Sequence, residues 1–143
     1  MIDYKIYFGG AFMETSHKLT VVNPFTLQPF ATTYQAGPEE LEYAITKAER
    51  VRQELKKLPV FKRYEILMQR ETEIKSKREQ LATVLCQESA KPMRYALGEI
   101  DRAAQTFIIA AEECKRLPKE YISLDWTPAG EGKEGFINYF PIG

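Results

Sequence analysis

Between Leu41 and Leu58, apolar residues recur every third or fourth position: Leu41, Ala44, Ile45, Ala48, Val51, Leu55 and Leu58. That spacing lays one apolar stripe along a helix. Gly37-Pro38-Glu39-Glu40 marks its start, with proline at the first helical position and two acids in the first turn. Lys56 and Lys57 close it with the sign the dipole favours, and Pro59 resets the chain. A second helical stretch carries Tyr64, Leu67, Met68, Ile74, Leu81, Val84 and Leu85. Its stripe lapses in "KSKREQ", so a break is expected near Ser76, with Ser76 and Glu79 at capping-box spacing. After Lys91-Pro92 a third stripe runs through Met93, Ala96, Leu97, Ile100, Ala104, Phe107, Ile108, Ala111 and Cys114, ending before Pro118.

The flanks have a shorter period. Tyr4–Phe8 and Ala11–Met13 read as strands joined at Gly9-Gly10, a pair that tolerates the positive φ of a tight hairpin. Leu19–Val22 is β-branched and leads to an Asn23-Pro24 turn, and Phe30–Tyr34 is a further strand. At the other end Tyr121–Trp126 and Phe136–Phe140 read as strands around the glycine-rich "TPAGEGKEG", with Pro141-Ile142-Gly143 as the exit. The expected class is α+β: strands over 1–36, three to four amphipathic helices over 37–118, and a strand pair over 119–143, all one incomplete domain.

Charge and composition narrow the function. Lysine plus arginine and aspartate plus glutamate both number 20, so the net charge is zero and no footprint for nucleic acid or an anionic membrane arises. No apolar run reaches the length of a membrane span, and "MIDYK" is too polar for a signal peptide. A reducing cytoplasm is the expected compartment. Cys86 and Cys114 lie on apolar stripes and read as buried free thiols. The single histidine, His17, sits in a polar loop and offers neither thiol a partner in sequence. No GxGxxG or GxxxxGK[ST] cradles a phosphate, and one histidine cannot complete a nucleophile–base–orienter set. Most of the glutamates are expected on solvated helix faces opposite the stripes.

Six segments in order carry a resemblance: "YFGGAF", "TVVNPFTLQPFATT", "ELEYAITKAERV", "PVFKRYEILMQRETEIKSKREQLATVLCQESAKP", "ALGEIDRAAQTFIIAAEECKR" and "GFINYFPIG". They are similar to the opening hairpin, the "nPatG" turn, the first amphipathic helix, the segment ending in Gly-Lys-Pro, the next helix, and the strand ending in Pro-hydrophobic-Gly of the NAD(P)-dependent aldehyde dehydrogenase superfamily. The likeness runs from about Tyr7 to Gly143. Two residues depart from it: Ala90 stands at the glycine of Gly-Lys-Pro, and Leu27 at the glycine after "NPxT".

The resemblance implies an α/β parent enzyme with a Rossmann-like cofactor domain and NAD or NADP as cofactor. Its reaction is thiolate attack on an aldehyde, hydride transfer and thioester hydrolysis. It also implies that the oxyanion asparagine, cofactor glycines, glutamate base and nucleophilic cysteine lie beyond this segment. This chain is therefore expected to be the leading part of a longer protein, with no catalytic residue and no cofactor of its own. The helix over Pro92–Leu117 corresponds to one lining the substrate entrance, with Gly98 and Arg102 at tunnel positions. Arginine at the position of Arg102 goes with phosphorylated or otherwise anionic aldehydes, as guanidinium geometry favours. The competing role for Arg102 is an intrahelical pair with Asp101 or Glu99. A monovalent cation is implied at the Val21 and Val22 carbonyls and Glu88, against a merely solvated Glu88. The last strands resemble an oligomerisation flap. Expected partners are the rest of the dehydrogenase or other subunits, with self-association through uncovered apolar surface. The alternative is a standalone protein-interaction module retaining this shape.

Overall fold

A computed structural model describes residues 1–140 of the chain. The expected strand exit at Pro141-Ile142-Gly143 lies outside the described residues. Seven strands and four α-helices follow in the order β1 (Ile2–Asp3), β2 (Ile6–Phe8), β3 (Ala11–Met13), β4 (Lys18–Val22), β5 (Pro29–Tyr34), α1 (Pro38–Lys57), α2 (Val60–Ser76), α3 (Arg78–Ser89), α4 (Met93–Glu113), β6 (Lys119–Ser123) and β7 (Glu134–Asn138). The α+β class expected from the sequence holds.

The strands form three small sheets. β2 and β3 make the hairpin around Gly9 and Gly10, both at positive φ. β4 pairs antiparallel with β5, and β1 adds on β5's other edge in parallel, an element too short to leave a periodic signal. The Tyr34 hydroxyl donates to Asp3 Oδ2 at 2.8 Å, and this bond pushes the Tyr34 phenol's pKa up. β6 and β7 pair antiparallel, each starting two residues before its expected position. Trp126 falls in the turn between them, where a 3-10 turn spans Pro128–Gly130.

The helical unit is α2, α3 and α4, and it meets through alanines. Ala82, Ala96, Ala104 and Ala111 are buried, whereas no large side chain among the described residues is fully buried. Small residues at these positions let the helices approach closely. The break between α2 and α3 falls where the stripe lapses, but its chemistry differs from the capping box expected at Ser76. Ser76 is the last residue of α2, its hydroxyl donates back to the Glu73 carbonyl at 2.9 Å, and Lys77 occupies the junction. The next helix instead starts from Lys77, with no side-chain bond capping its first amides. Glu71 is an exception to the mostly solvated glutamates: it is 6% exposed on α2, held by Lys75 and by the Thr72 hydroxyl. The two thiols are half-buried rather than buried, Cys86 lying 3.9 Å from Met93 Sδ.

Helix α1 forms as its sequence dictates, with the Gly37 N–H donating to Glu40 Oε2 at 2.7 Å. None of its residues is buried, and Leu41, Ile45, Val51 and Leu55 are exposed. Its main anchor is Tyr43, whose ring meets Phe8 edge-on at 6.0 Å and lies against Gly9, where a Cβ would come within 2.9 Å of Tyr43 Cδ1.

Leu27 (φ 58°) and Ala90 (φ 57°) are the non-glycine residues at positive φ among the described residues. Leu27 closes a turn in which Asn23 Oδ1 accepts from the Phe25 and Thr26 amides at 2.9 and 3.1 Å, and Ala90 ends α3. These are the two positions where the sequence departs from the glycines of the resembled pattern. A left-handed L-residue costs about 1–2 kcal/mol, and glycine returns about 0.5–1 kcal/mol of that in backbone entropy. Leu27→Gly and Ala90→Gly together should therefore stabilise the chain by about 1 kcal/mol in urea unfolding. An unchanged or lower midpoint would refute the strain at these residues.

Candidate functional site

Helix α4 begins after Lys91-Pro92 and carries Arg94, Tyr95, Gly98, Glu99 and Arg102 over its first half. With Lys91 these residues line an open groove of about 490 Å³. Arg94, Gly98 and Arg102 are four residues apart and share one helix face. The sequence-derived tunnel residues Gly98 and Arg102 thus lie in one groove, and Lys91, Arg94, Tyr95 and Glu99 join them. The signal for Arg94 was available in the i, i+4, i+8 spacing, but its cation stands outside the matched motif.

The groove's charges are distributed unevenly. Lys91 Nζ pairs with Glu99, both about one-third exposed. That hydrogen bond, reinforced by the lysine's charge, holds the Glu99 carboxyl below its ordinary value of 4.5. Because the folded value is the lower one, the pair's stabilisation is full above the unfolded carboxylate range and is lost as pH falls through the lowered value. Asp101 is taken by Arg78 of α3, which grips it at 2.6 Å and 2.8 Å through Nε and a terminal nitrogen. This bond holds the Asp101 carboxyl low. Of the two acids expected to compete for Arg102, Asp101 is therefore engaged elsewhere. Glu99 reaches Arg102 only at 3.9 Å, with Arg102's side chain 77% exposed. Arg94 enters no ion pair among the described residues and sits over the Tyr95 ring, 5.5 Å from its centroid. Two guanidinium groups are left facing the groove with little compensation.

A second cavity, of about 240 Å³, lies between the β4–β5 sheet and α3, lined by Tyr4, Val21, Phe30, Ala31, Thr33, Val84 and Glu88. Val21 and Glu88, distant in sequence, come together here. Val22 is not among the lining residues, although a register shift between Val21 and Val22 opens the ladder beside them. No cluster of three or more His, Cys, Asp or Glu side chains suited to a metal occurs among the described residues.

Among the described residues no serine, histidine and carboxylate are bonded into one set. The Ser16 hydroxyl and His17 Nδ1 are 3.1 Å apart as neighbours in an exposed loop, and no carboxylate bonds the ring among the described residues. Gly9 and Gly10 turn directly into β3, Gly130, Gly132 and Gly135 belong to the β6–β7 hairpin, and Gly37 stands alone at the start of α1, so no cluster of described glycines opens onto a helix N-terminus. No described helix is long and apolar enough to cross a membrane.

The sequence profile of the aldehyde dehydrogenase family matches residues 12–143. The chain belongs to the aldehyde dehydrogenase family. It is similar to the 3-sulfolactaldehyde dehydrogenase of Priestia aryabhattai, with 31% identity over 99% of this chain and 29% of that enzyme. It is also similar to the lactaldehyde dehydrogenase of Methanocaldococcus jannaschii, with 36% identity over 75% of this chain and 23% of that enzyme. Among solved structures it matches aldehyde dehydrogenase 21 of Physcomitrella patens in complex with its reaction product succinate, at TM-score 0.91 and 29% identity, over 94% of this chain and 28% of that one. The chain thus spans under a third of the length of these aldehyde dehydrogenases and corresponds to their N-terminal region.

Proposed function

We propose that this chain forms the N-terminal wall of an NAD(P)-dependent aldehyde dehydrogenase acting on an aldehyde that bears an anionic group. The observation that carries this reading is the groove on α4, in which Arg102 faces open space with Asp101 engaged elsewhere. Similarity alone does not choose the substrate, since the relatives are named for both charged and neutral aldehydes. The charge of the groove supports an anionic one, because guanidinium grips oxyanions through paired N–H donors. Within the proposed enzyme the chain binds and orients the distal end of the substrate. It holds no reactive atom, and the cofactor and nucleophile belong to the remainder of the protein.

Two further roles follow from the same reading. The cavity shared by Val21 and Glu88 would take a weakly held monovalent cation, with the Glu88 carboxylate as its hard oxygen donor. The uncovered stripe of α1 and the exposed aromatics Tyr121 and Phe136 on β6–β7, with Tyr139 just after β7, are docking surfaces for the rest of the enzyme and for other subunits.

The test uses the enzyme expressed from the full reading frame. A hydrogen bond to a charged group contributes about 1.5–3 kcal/mol, so Arg102→Ala should raise KM at least tenfold for an aldehyde carrying phosphate, sulfonate or carboxylate, and leave a neutral aldehyde of similar size unchanged. The 143-residue chain alone should give no NAD(P)H signal with either substrate. Equal loss for charged and neutral aldehydes refutes the anionic reading, and turnover by the homogeneous chain refutes its role as a wall.

A further inference from the structure

Glu99 lies between two cations. Arg102 follows it on α4 at the i, i+3 spacing, where an acid and a base on one helix ordinarily meet. The acid goes the other way. Lys91 Nζ is hydrogen-bonded to Glu99 Oε2, whereas Arg102 Nη2 stands 3.9 Å from Oε1, beyond hydrogen-bonding reach. The backbone aims this lysine. Ala90, in the left-handed conformation, ends α3, and Pro92 caps α4, so Lys91 is held between two restricted residues. A cation just ahead of a helix N-terminus is opposed by the helix dipole, and Glu99, about two turns inside α4, compensates it here. The Arg78 grip on Asp101 removes the other nearby acid.

Resting on the anionic-substrate reading above, we infer that Lys91 is a positioning residue for this groove: by holding Glu99 it keeps that carboxylate off Arg102 and leaves the guanidinium free for an anionic aldehyde. Lys91 acts through Glu99 and not by touching the substrate. Without its ammonium, Glu99 is left with Arg102 as its cation, already at 3.9 Å and at a favourable helical spacing. The carboxylate then occupies the N–H donors that a substrate anion would use. The effect is a competition for one guanidinium. An exposed ion pair is weak, so the expected change is about threefold rather than orders of magnitude.

Two measurements test this. In the chain itself, the Arg102 side-chain Nε–H signal in NMR should shift in Lys91→Met and exchange more slowly with water. It should return to the parent position in the double variant Lys91→Met, Glu99→Gln. In the enzyme expressed from the full reading frame, kcat/KM is compared for an aldehyde carrying phosphate, sulfonate or carboxylate and for a neutral aldehyde of similar size. The charged-to-neutral ratio should fall about threefold in Lys91→Met, through KM, and adding Glu99→Gln should restore it. That recovery separates positioning from structural support, since a second substitution cannot rebuild the lost Lys91–Glu99 bond. An unmoved Arg102 signal in Lys91→Met, or a loss that Glu99→Gln fails to restore, overturns the role of Lys91. Equal loss for charged and neutral aldehydes in Arg102→Ala overturns the anionic reading instead, and the Nε–H signal still decides whether Lys91 holds Glu99 away.

Discussion

Ala104→Leu should cost the helical unit about 3 kcal/mol, at the upper end of the range for overpacking. Ala104 is 2% exposed on α4, on the same helix as the fully enclosed Ala96 and Ala111. Helices that meet through alanine leave no room for three more carbon atoms, and relief requires the helix axes to move apart. The surrounding large side chains are only partly enclosed, so little other burial is available to offset that separation. A small domain is stable by about 5–15 kcal/mol, and so a loss of this size is a large share of the total. Urea unfolding followed by helical circular dichroism should show a lower midpoint with an unchanged slope. Ala110→Leu, on the exposed face of the same helix, is the control and should fall within about 0.5 kcal/mol of the parent. Equal behaviour of the two variants would show that the alanines do not set the helix spacing.

Gly130→Ala should act as strongly but elsewhere. A Cβ at residue 130 would lie 2.9 Å from the Leu124 carbonyl carbon, with the carbonyl oxygen nearer still. The obstacle is backbone, which cannot swing away as a side chain would. Leu124 is fixed in turn by its N–H bond to the Lys133 carbonyl at 3.0 Å, and the Gly130 N–H donates to Thr127 at 2.8 Å. The turn must open, at a cost of about 3 kcal/mol. β6 and β7 contact each other extensively and no other element to a comparable degree among the described residues. A hairpin with so little support is marginal, so the loss should stay local. Amide hydrogen exchange should become fast across Lys119–Ser123 and Glu134–Asn138 while α2, α3 and α4 keep their protection. Slow exchange retained in the hairpin would refute this account of Gly130.

The helices were legible because their stripes are long and periodic, and α1 was foreseen to its ends. Periodicity says which face of a helix seeks cover; it does not say that cover is present, and Leu41, Ile45 and Val51 remain exposed. The junction after Ser76 was legible in position only, because a serine serves a helix end as readily as a helix start. Strands β6 and β7 were placed two residues late because aromatic content marked Trp126 and Phe140, whereas the turn is fixed by the contact of Gly130 with Leu124. At the groove, Gly98 and Arg102 came from resemblance. Arg94 could not come that way, since it lies between the matched segments and its place in the groove is a fact of the structure. Leu27 and Ala90 looked like mere mismatches in the sequence, and the backbone gives them a physical meaning as left-handed residues.

The seating of Tyr43 against Gly9 has a mechanical consequence. Tyr43 lies near the start of a 20-residue helix, so the arm beyond it to Lys57 extends about 21 Å from that pivot. A rotation of roughly a tenth of a radian at the pivot carries the far end through about 2 Å. The far end is tied to α2 through Leu58 and Pro59, with the Leu58 carbonyl accepting from Arg63 Nε, so a side chain at residue 9 would set the start of this lever against its fixed end.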